Sequence, residues 1–222
     1  NSIDPEDIAT FTILKDAAAT AVYGSLGANG VILITTKRGK EGKVNLMVNY
    51  NQGITGFTKT PEMADAKTYM NLKNEAMIAS GLQPQFTQDY IDSTLSPTAN
   101  HYVYPNVNWL DYLFKSTSSN RRLNFSATGG SENTQFYTSL AYYDESSLLK
   151  TSPDVNYDAG TRFQRYNFTS NVDMKWTKTT KFFLGLSGYI TNFNQPGIAT
   201  DNNNEGNKGA KQAFVQAMNA SP

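Results

Sequence analysis

The chain has 222 residues, with 19 Lys and Arg against 19 Asp and Glu, one His and no Cys. Zero net charge argues against a nucleic-acid partner, which would require a basic face. The absence of Cys excludes disulfides, thiolate zinc sites and cysteine nucleophiles, and a Ser-His-Asp triad would depend on His101 alone. Many Gly, Tyr and Phe residues with few charges are typical of a β-rich extracytoplasmic protein, and nothing in the composition implies a cofactor.

Residues 1–42 have the pattern of a small mixed α/β unit. Asp4 precedes Pro5 and two further acids, which is typical of a capped first helical turn. Runs of β-branched and apolar residues predict strands over 8–14 and 31–36. Between them, Asp16 is a capping residue for an Ala-rich stretch, which predicts a short helix over 17–23 ending at Gly24.

From residue 43 the hydrophobic pattern changes to a period of two. Five segments alternate, over 43–51, 122–128, 135–142, 165–176 and 181–190. In the fourth, Tyr166, Phe168 and Val172 alternate with Asn167 and Asn171. Successive side chains of a strand point to opposite faces, so each segment is predicted to have one apolar and one polar face.

The lengths of the strands and their connections indicate where the apolar faces lie. The fourth segment alternates for about twelve residues, near the span of a tilted membrane strand. Long connections alternate with the tight turns 129–133 and 177–180, which is the pattern of outer-membrane barrels. No apolar run is long enough for a transmembrane helix, but a membrane strand needs only about ten alternating residues. The sequence therefore predicts strands of a transmembrane antiparallel β-barrel.

The long connections carry helical patterns. The first is predicted to form a helix opening at Thr60-Pro61-Glu62 and ending at Gly81. A second, short amphipathic piece covers 108–114, and a third helix is predicted over 207–219.

A long motif in residues 7–37 carries a family resemblance. The runs Leu14-Lys15-Asp16-Ala17 and Tyr23-Gly24-Ser25-Leu26-Gly27-Ala28-Asn29-Gly30-Val31 resemble the plug signature of the SusC/RagA family, TonB-dependent outer-membrane transporters of Bacteroidetes-type bacteria. Asn108-Trp109, Gly129-Gly130-Ser131-Glu132 and Tyr142-Tyr143 also resemble that family. Asp16, Gly24, Gly27, Asn29 and Gly30 would be structural residues of the signature. Leu26 departs from it, because the family usually has Arg there.

The resemblance implies a 22-stranded barrel that contains a plug. Residues 1–42 would then be the C-terminal part of the plug, and residues 43–222 the first five or so barrel strands with their extracellular loops. We expect the sequence to be a piece of a longer protein, because five strands cannot close such a barrel.

On this resemblance the protein is not an enzyme. It would import oligosaccharides or oligopeptides across the bacterial outer membrane. Its partners would be a SusD-like surface lipoprotein, the surrounding outer-membrane lipid, and TonB, which would bind through a segment outside this chain.

Candidate site residues follow from position and chemistry. Tyr102 and Tyr104 could form an aromatic platform for sugars, although packing within the loop is the default interpretation. Arg165, Asn167 and Asn171 would face the lumen, where they could contact solute but are favoured as a hydrated wall or a plug-contacting surface. Asp201 and Glu205 offer oxygen ligands for calcium but lack the spacing of a 12-residue calcium loop.

The glycines of the signature also admit a nucleotide-binding interpretation. In a phosphate-binding loop the helix follows the glycines, whereas here it is predicted to precede them. Tight turns in the plug are therefore the favoured interpretation.

Two other classes remain open. A secreted β-sandwich carbohydrate-binding module would have the same Tyr- and Asn-rich composition, but it would pack the apolar faces of two sheets together and dissolve without detergent. A small outer-membrane barrel enzyme would need a catalytic constellation that a single His supports poorly.

Overall fold

The structure, a computed structural model, describes residues 3–15, 21–27, 29–151, 160–196, 208–220 and 222. Within these residues the strands are β1 (Ile8–Leu14), β2 (Val31–Thr36), β3 (Gly42–Gly56), β4 (Thr117–Gly130), β5 (Thr134–Ser146), β6 (Arg162–Lys175) and β7 (Lys181–Asn194). The helices are α1 (Ala66–Ala79), α2 (Gln88–Leu95), α3 (Trp109–Leu113) and α4 (Lys208–Asn219). All seven predicted strands are therefore confirmed.

The N-terminal segment, residues 1–42, contains a two-stranded antiparallel sheet of β1 and β2. A 3-10 turn over Pro5–Asp7 leads into β1, and the Asp4 side chain caps it by accepting the Glu6 N–H at 3.0 Å. This agrees with the capped turn predicted from the sequence. Residues Ala21–Gly27 form 3-10 turns interrupted at Gly24, so the part of the predicted helix at 21–23 is not α-helical. The rest of that prediction, 17–20, lies outside the described residues.

The larger sheet has the strand order β3-β4-β5-β6-β7, so each strand pairs with its neighbour in sequence. β4 and β5 are antiparallel, with Asn124 opposite Ala141. The tight turn between them is held by the Ser131 hydroxyl, which accepts the Asn133 and Thr134 N–H groups. Thr177 does the same between β6 and β7. Both predicted tight turns are confirmed.

The sheet has an apolar face and a polar face of very different exposure. The apolar face is 40–68% exposed at Val44, Leu46, Val48, Leu123, Phe125, Leu140, Phe168, Leu184, Leu186 and Ile190. The polar face is only 1–8% exposed at Asn124, Ser126, Ser139, Asn167, Thr169 and Asn171. The edge strand β7 is exposed along its whole length. This polarity is the reverse of that in a water-soluble sheet, where the apolar face is the buried one.

The chain divides into two compact units. The first comprises residues 1–53, 120–145 and 163–193, and the second comprises 54–119, 146–162 and 194–222. In the second unit, Ala66, Met70 and Ile91 form a small buried core where α1 meets α2. The Asn74 side chain fixes the connection between these helices, donating to the Phe86 carbonyl at 2.7 Å.

The helices of the second unit correct two details of the sequence prediction. α1 begins at Ala66 rather than near Pro61, because the Asp65 side chain supplies the cap by accepting the Thr68 N–H at 2.8 Å. Helix α2 was not predicted; Thr87 caps it in the same way, with a 3.3 Å hydrogen bond from the Tyr90 N–H. The Gly81 stop of α1, the short piece α3 and the helix α4 are confirmed.

None of the helices in the described residues is both long and apolar enough to cross a membrane.

Candidate functional site: a buried polar junction

The N-terminal segment lies against the polar face of the large sheet. Three residues of that face, Asn124, Thr169 and Asn171, each donate a hydrogen bond to a residue of the segment. All three are at most 5% exposed. A polar group that leaves water without a partner costs free energy, so these bonds are what makes burial of this face tolerable. We call this set of contacts the polar junction.

Asp7 is the most deeply buried member of the polar junction, at 0% exposed. It ends the 3-10 turn before β1, which aims its carboxyl group at the sheet. The Tyr137 hydroxyl of β5 donates to Oδ1 at 2.8 Å, and the Thr169 hydroxyl of β6 donates to Oδ2 at 2.8 Å. The Asp7 carbonyl also accepts the Lys37 N–H at 2.8 Å. One residue therefore joins both strands of the N-terminal segment to two strands of the sheet.

Asp4 forms a second acidic contact close to the first. Its carboxyl group is 4% exposed, accepts the Glu6 N–H, and lies 3.4 Å from the Asn124 amide and 3.9 Å from Nε of Arg122. Burial raises the pKa of Asp4, and the Glu6 hydrogen bond and the Arg122 charge oppose that rise. The 3.9 Å separation makes this a loose ion pair rather than a hydrogen-bonded one.

The other end of the polar junction lies where the chain leaves β2. The Asn171 amide donates to the Thr36 hydroxyl at 3.1 Å and to the Lys37 carbonyl at 2.7 Å. Arg38 pairs with Asp173 at 3.0 Å and stacks over the ring of Phe183, 4.2 Å from its centroid.

Gly39 follows at the same place. A Cβ atom there would come within 2.2 Å of the Phe136 backbone nitrogen, so only glycine allows this close approach of the chain to β5.

The structure brings together some of the predicted site residues. Arg165, Asn167 and Asn171 lie on the polar face, and Asn171 takes part in the polar junction. Tyr102 is fully exposed, and Tyr104 packs against Tyr90 in a tilted arrangement with ring centroids 5.1 Å apart. Both tyrosines belong to the second unit, whereas the polar-face residues belong to the first.

The plug-signature residues are mostly turn formers. Gly24 and Gly30 have φ of 60° and 93°, the left-handed conformation that favours glycine. Gly27 is buried and accepts the Gly30 N–H at 2.9 Å, while Asn29 is exposed. Asp16 lies outside the described residues, and so do the calcium candidates Asp201 and Glu205.

Sequence reasoning missed the acidic centre of the polar junction. The sequence indicates Asp4 and Asp7 only as residues of a capped first turn. It places the two partners of Asp7, Tyr137 and Thr169, only in the alternating segments 135–142 and 165–176. One signal for this contact is present in the sequence. Asp4 and Asp7 come directly before a predicted strand, and the predicted barrel strands have a polar face.

Within the described residues no group of three or more His, Asp or Glu side chains could hold a metal ion.

The polar junction can hold two parts of the chain together. It consists of hydrogen bonds and ion pairs, which can be broken and re-formed.

The chain is similar to several known proteins, although no protein-family profile matches it. It is 30% identical over 197 residues to TonB-dependent receptor P3 of Formosa agariphila, covering 88% of this chain and 16% of the receptor. It is 34% identical over 187 residues to TonB-dependent receptor SusC of Bacteroides thetaiotaomicron, covering 84% of this chain and 17% of SusC. The chain thus spans about a sixth of the length of these curated relatives.

Solved structures show the same fold. The RagAB peptide transporter matches with a TM-score of 0.69 and 24% identity, over 87% of this chain and 23% of that chain. The RagAB peptide importer in its closed-closed state matches with a TM-score of 0.68. These relatives are named as receptors or transporters and not as enzymes. Along the stretch that it shares with them, the chain belongs to the SusC/RagA family of TonB-dependent receptors.

Proposed function

We propose that this chain is part of a TonB-dependent importer of the bacterial outer membrane. Residues 43–222 supply the first strands and the extracellular loops of a transmembrane β-barrel, and residues 1–42 supply the C-terminal part of its plug. The remaining strands complete a barrel of 22 and pair with the open edges of β3 and β7, because an unpaired edge in lipid leaves backbone groups unsatisfied.

The reversed polarity of the sheet carries this proposal. In water, an exposed apolar face spread over five strands is strongly unfavourable. In a membrane the same face contacts acyl chains, and the polar face lines the lumen, where the plug covers it. The hydrogen bonds of the polar junction supply the partners that the buried polar face requires.

Import follows from a change in the plug. The polar junction holds residues 1–42 against the wall and keeps the lumen closed. Cargo binding from outside and force relayed by TonB shift the plug to a second arrangement in which junction contacts are broken. No covalent bond is made or broken in this step.

The cargo is an oligosaccharide or an oligopeptide, delivered by a SusD-like surface lipoprotein. The support is similarity: one relative is SusC, and the matching structures are those of a peptide transporter and a peptide importer. The fully exposed Tyr102 lies in the long connection between β3 and β4, which becomes an extracellular loop in this arrangement. An exposed ring there can stack on a sugar or on the lipoprotein.

A secreted β-sandwich module is the competing function. It requires the apolar face of this sheet to pack against a second sheet. The exposure of that face, from Val44 on β3 to Ile190 on β7, favours the membrane proposal instead.

The proposal is tested with the whole protein expressed in the outer membrane of a deletion strain. We expect it to need detergent for extraction, to show heat-modifiable gel mobility, and to restore TonB-dependent growth on one class of oligosaccharide or oligopeptide. Release into buffer without detergent, or restored growth that persists when TonB is deleted, would contradict it.

A further inference from the structure

A cavity on the polar face is not explained by the contact between the N-terminal segment and the sheet. It has a volume of about 230 Å³ and lies where the polar face approaches the ends of β4, β5 and β6 that join the long connections. Its lining includes Asp4, Arg122, Tyr143, Phe163, Arg165 and Asn167. The volume is below the roughly 300–1,000 Å³ of sites that enclose a whole drug-sized ligand, so the cavity suits one end group of a longer molecule.

The two arginines of this cavity are held by aromatic rings. The Arg122 guanidinium lies 5.2 Å from the ring centroid of Tyr143. Arg165 lies between two rings, 5.3 Å from the centroid of Phe163 and 5.4 Å from that of Tyr189. Stacking involves the face of a guanidinium group, whereas hydrogen bonds to a planar anion form at its edge.

The hydrogen-bonding state of Arg122 points to a missing partner. Its Nε atom is buried and makes no hydrogen bond to any atom of the described chain. The Asp4 carboxyl lies 3.9 Å from Nε, close enough for a loose ion pair but beyond hydrogen-bond distance. Asp4 accepts the Glu6 N–H, and Glu145 accepts the hydroxyl of the cavity residue Tyr143. A buried charged donor without an acceptor is costly, which favours an acceptor supplied by a ligand.

We propose that Arg122 and Arg165 bind a carboxylate at the end of the cargo and so select acidic solutes. This inference rests on the proposed import function, because the cavity opens to cargo only if the polar face lines the lumen. A carboxylate matches the guanidinium fork with two parallel hydrogen bonds, and the stacked rings exclude water from that contact. The same chemistry occurs in an acidic saccharide and at the C-terminus of a peptide.

The experiment uses the whole transporter, purified in detergent, and calorimetric binding of matched probes. One pair is an oligogalacturonate and the neutral galactose oligomer of equal length; the other is a pentapeptide with a free or an amidated C-terminus. We expect the carboxylate member of one pair to bind at least tenfold more tightly than its neutral partner. The pair that shows the difference identifies the source of the carboxylate.

Variants then assign the effect to the cavity. Arg122→Gln and Arg165→Gln should each remove most of the preference for the carboxylate. Lys175→Gln is the control, because it removes one positive charge from the opposite end of β6, where Lys175 pairs only loosely with Glu132 at 3.6 Å. Gel mobility before and after heating confirms that each variant is folded.

Three results would overturn the proposal: equal affinity for both members of each pair, binding of neither carboxylate probe, or an equal loss of preference in Lys175→Gln. These failures are distinguishable from failure of the import function. A transporter that imports a neutral solute, unaffected by Arg122→Gln, would refute the carboxylate site and leave import intact.

Discussion

Replacing Tyr137 by Phe isolates one hydrogen bond of the polar junction. The change removes the hydroxyl that donates to Asp7 at 2.8 Å and keeps the ring that fills the same space. Tyr137 is 3% exposed and Asp7 is 0% exposed, so water cannot easily replace the lost donor. Thr169 remains bonded to the other carboxyl oxygen.

The expected cost follows from this burial. Removing one partner of a buried polar group costs about 1–3 kcal/mol. At about 1.36 kcal/mol per factor of ten, the population in which the N-terminal segment has separated from the sheet should rise roughly 5- to 160-fold. A surface hydrogen bond of the same length would give far less, because water would take the place of the hydroxyl.

Hydrogen exchange in the whole transporter measures this population. The Lys37 N–H is the reporter, since it donates to the Asp7 carbonyl at 2.8 Å and becomes exposed when Asp7 separates. Tyr142→Phe is the matched control: Tyr142 lies on the apolar face of the same strand, and its hydroxyl accepts from Gln164. We expect faster exchange around Lys37 in Tyr137→Phe only. Equal exchange in the two variants would refute the role of Asp7 as the central contact.

Three further predictions concern other parts of the chain. Because burial raises the pKa of Asp4, the folded protein keeps that proton to a higher pH than the unfolded chain, so stability falls as pH rises between about 4 and the raised pKa. In Asp4→Asn the thermal unfolding midpoint should fall less steeply as the pH rises through this range. A fall that is no less steep than in the unchanged protein would contradict the role of Asp4. Gly39→Ala places a Cβ 2.2 Å from the Phe136 backbone and should cost about 1–3 kcal/mol or more in denaturant unfolding, whereas Gly188→Ala, with open space around it, should be tolerated far better. Asn108→Ala removes the cap that accepts the Leu110 N–H at 3.1 Å and should cost about 0.5–2 kcal/mol of helix stability, seen as faster amide exchange in α3 alone.

The strands could be predicted because the pattern of each strand depends only on residues that are adjacent in the sequence. β6 alternates between exposed Tyr166 and Phe168 and buried Asn167 and Thr169, and a period of two is readable from the sequence alone. Turn residues such as Ser131 act within three positions of themselves, so the tight turns were equally accessible.

Contacts between distant residues could not be predicted in this way. The bond between Tyr137 and Asp7 joins residues 130 positions apart, and no local pattern encodes which hydroxyl meets which acid. The start of α1 was misplaced for a related reason: both Thr60 and Asp65 are acceptable caps, and only the folded structure shows that Asp65 accepts a hydrogen bond from Thr68.

The orientation of the sheet is tested most directly by a cysteine scan of β6 in the whole protein in lipid bilayers. These 222 residues contain no Cys, so within them each introduced thiol is a single labelling site for an environment-sensitive fluorophore, once any Cys elsewhere in the whole protein has been replaced by Ser. Labels at positions 166, 168 and 172 should be quenched by brominated acyl chains, while labels at 167, 169 and 171 should not. Quenching of the second set, or of neither set, would contradict the claim that the apolar face of this sheet contacts lipid.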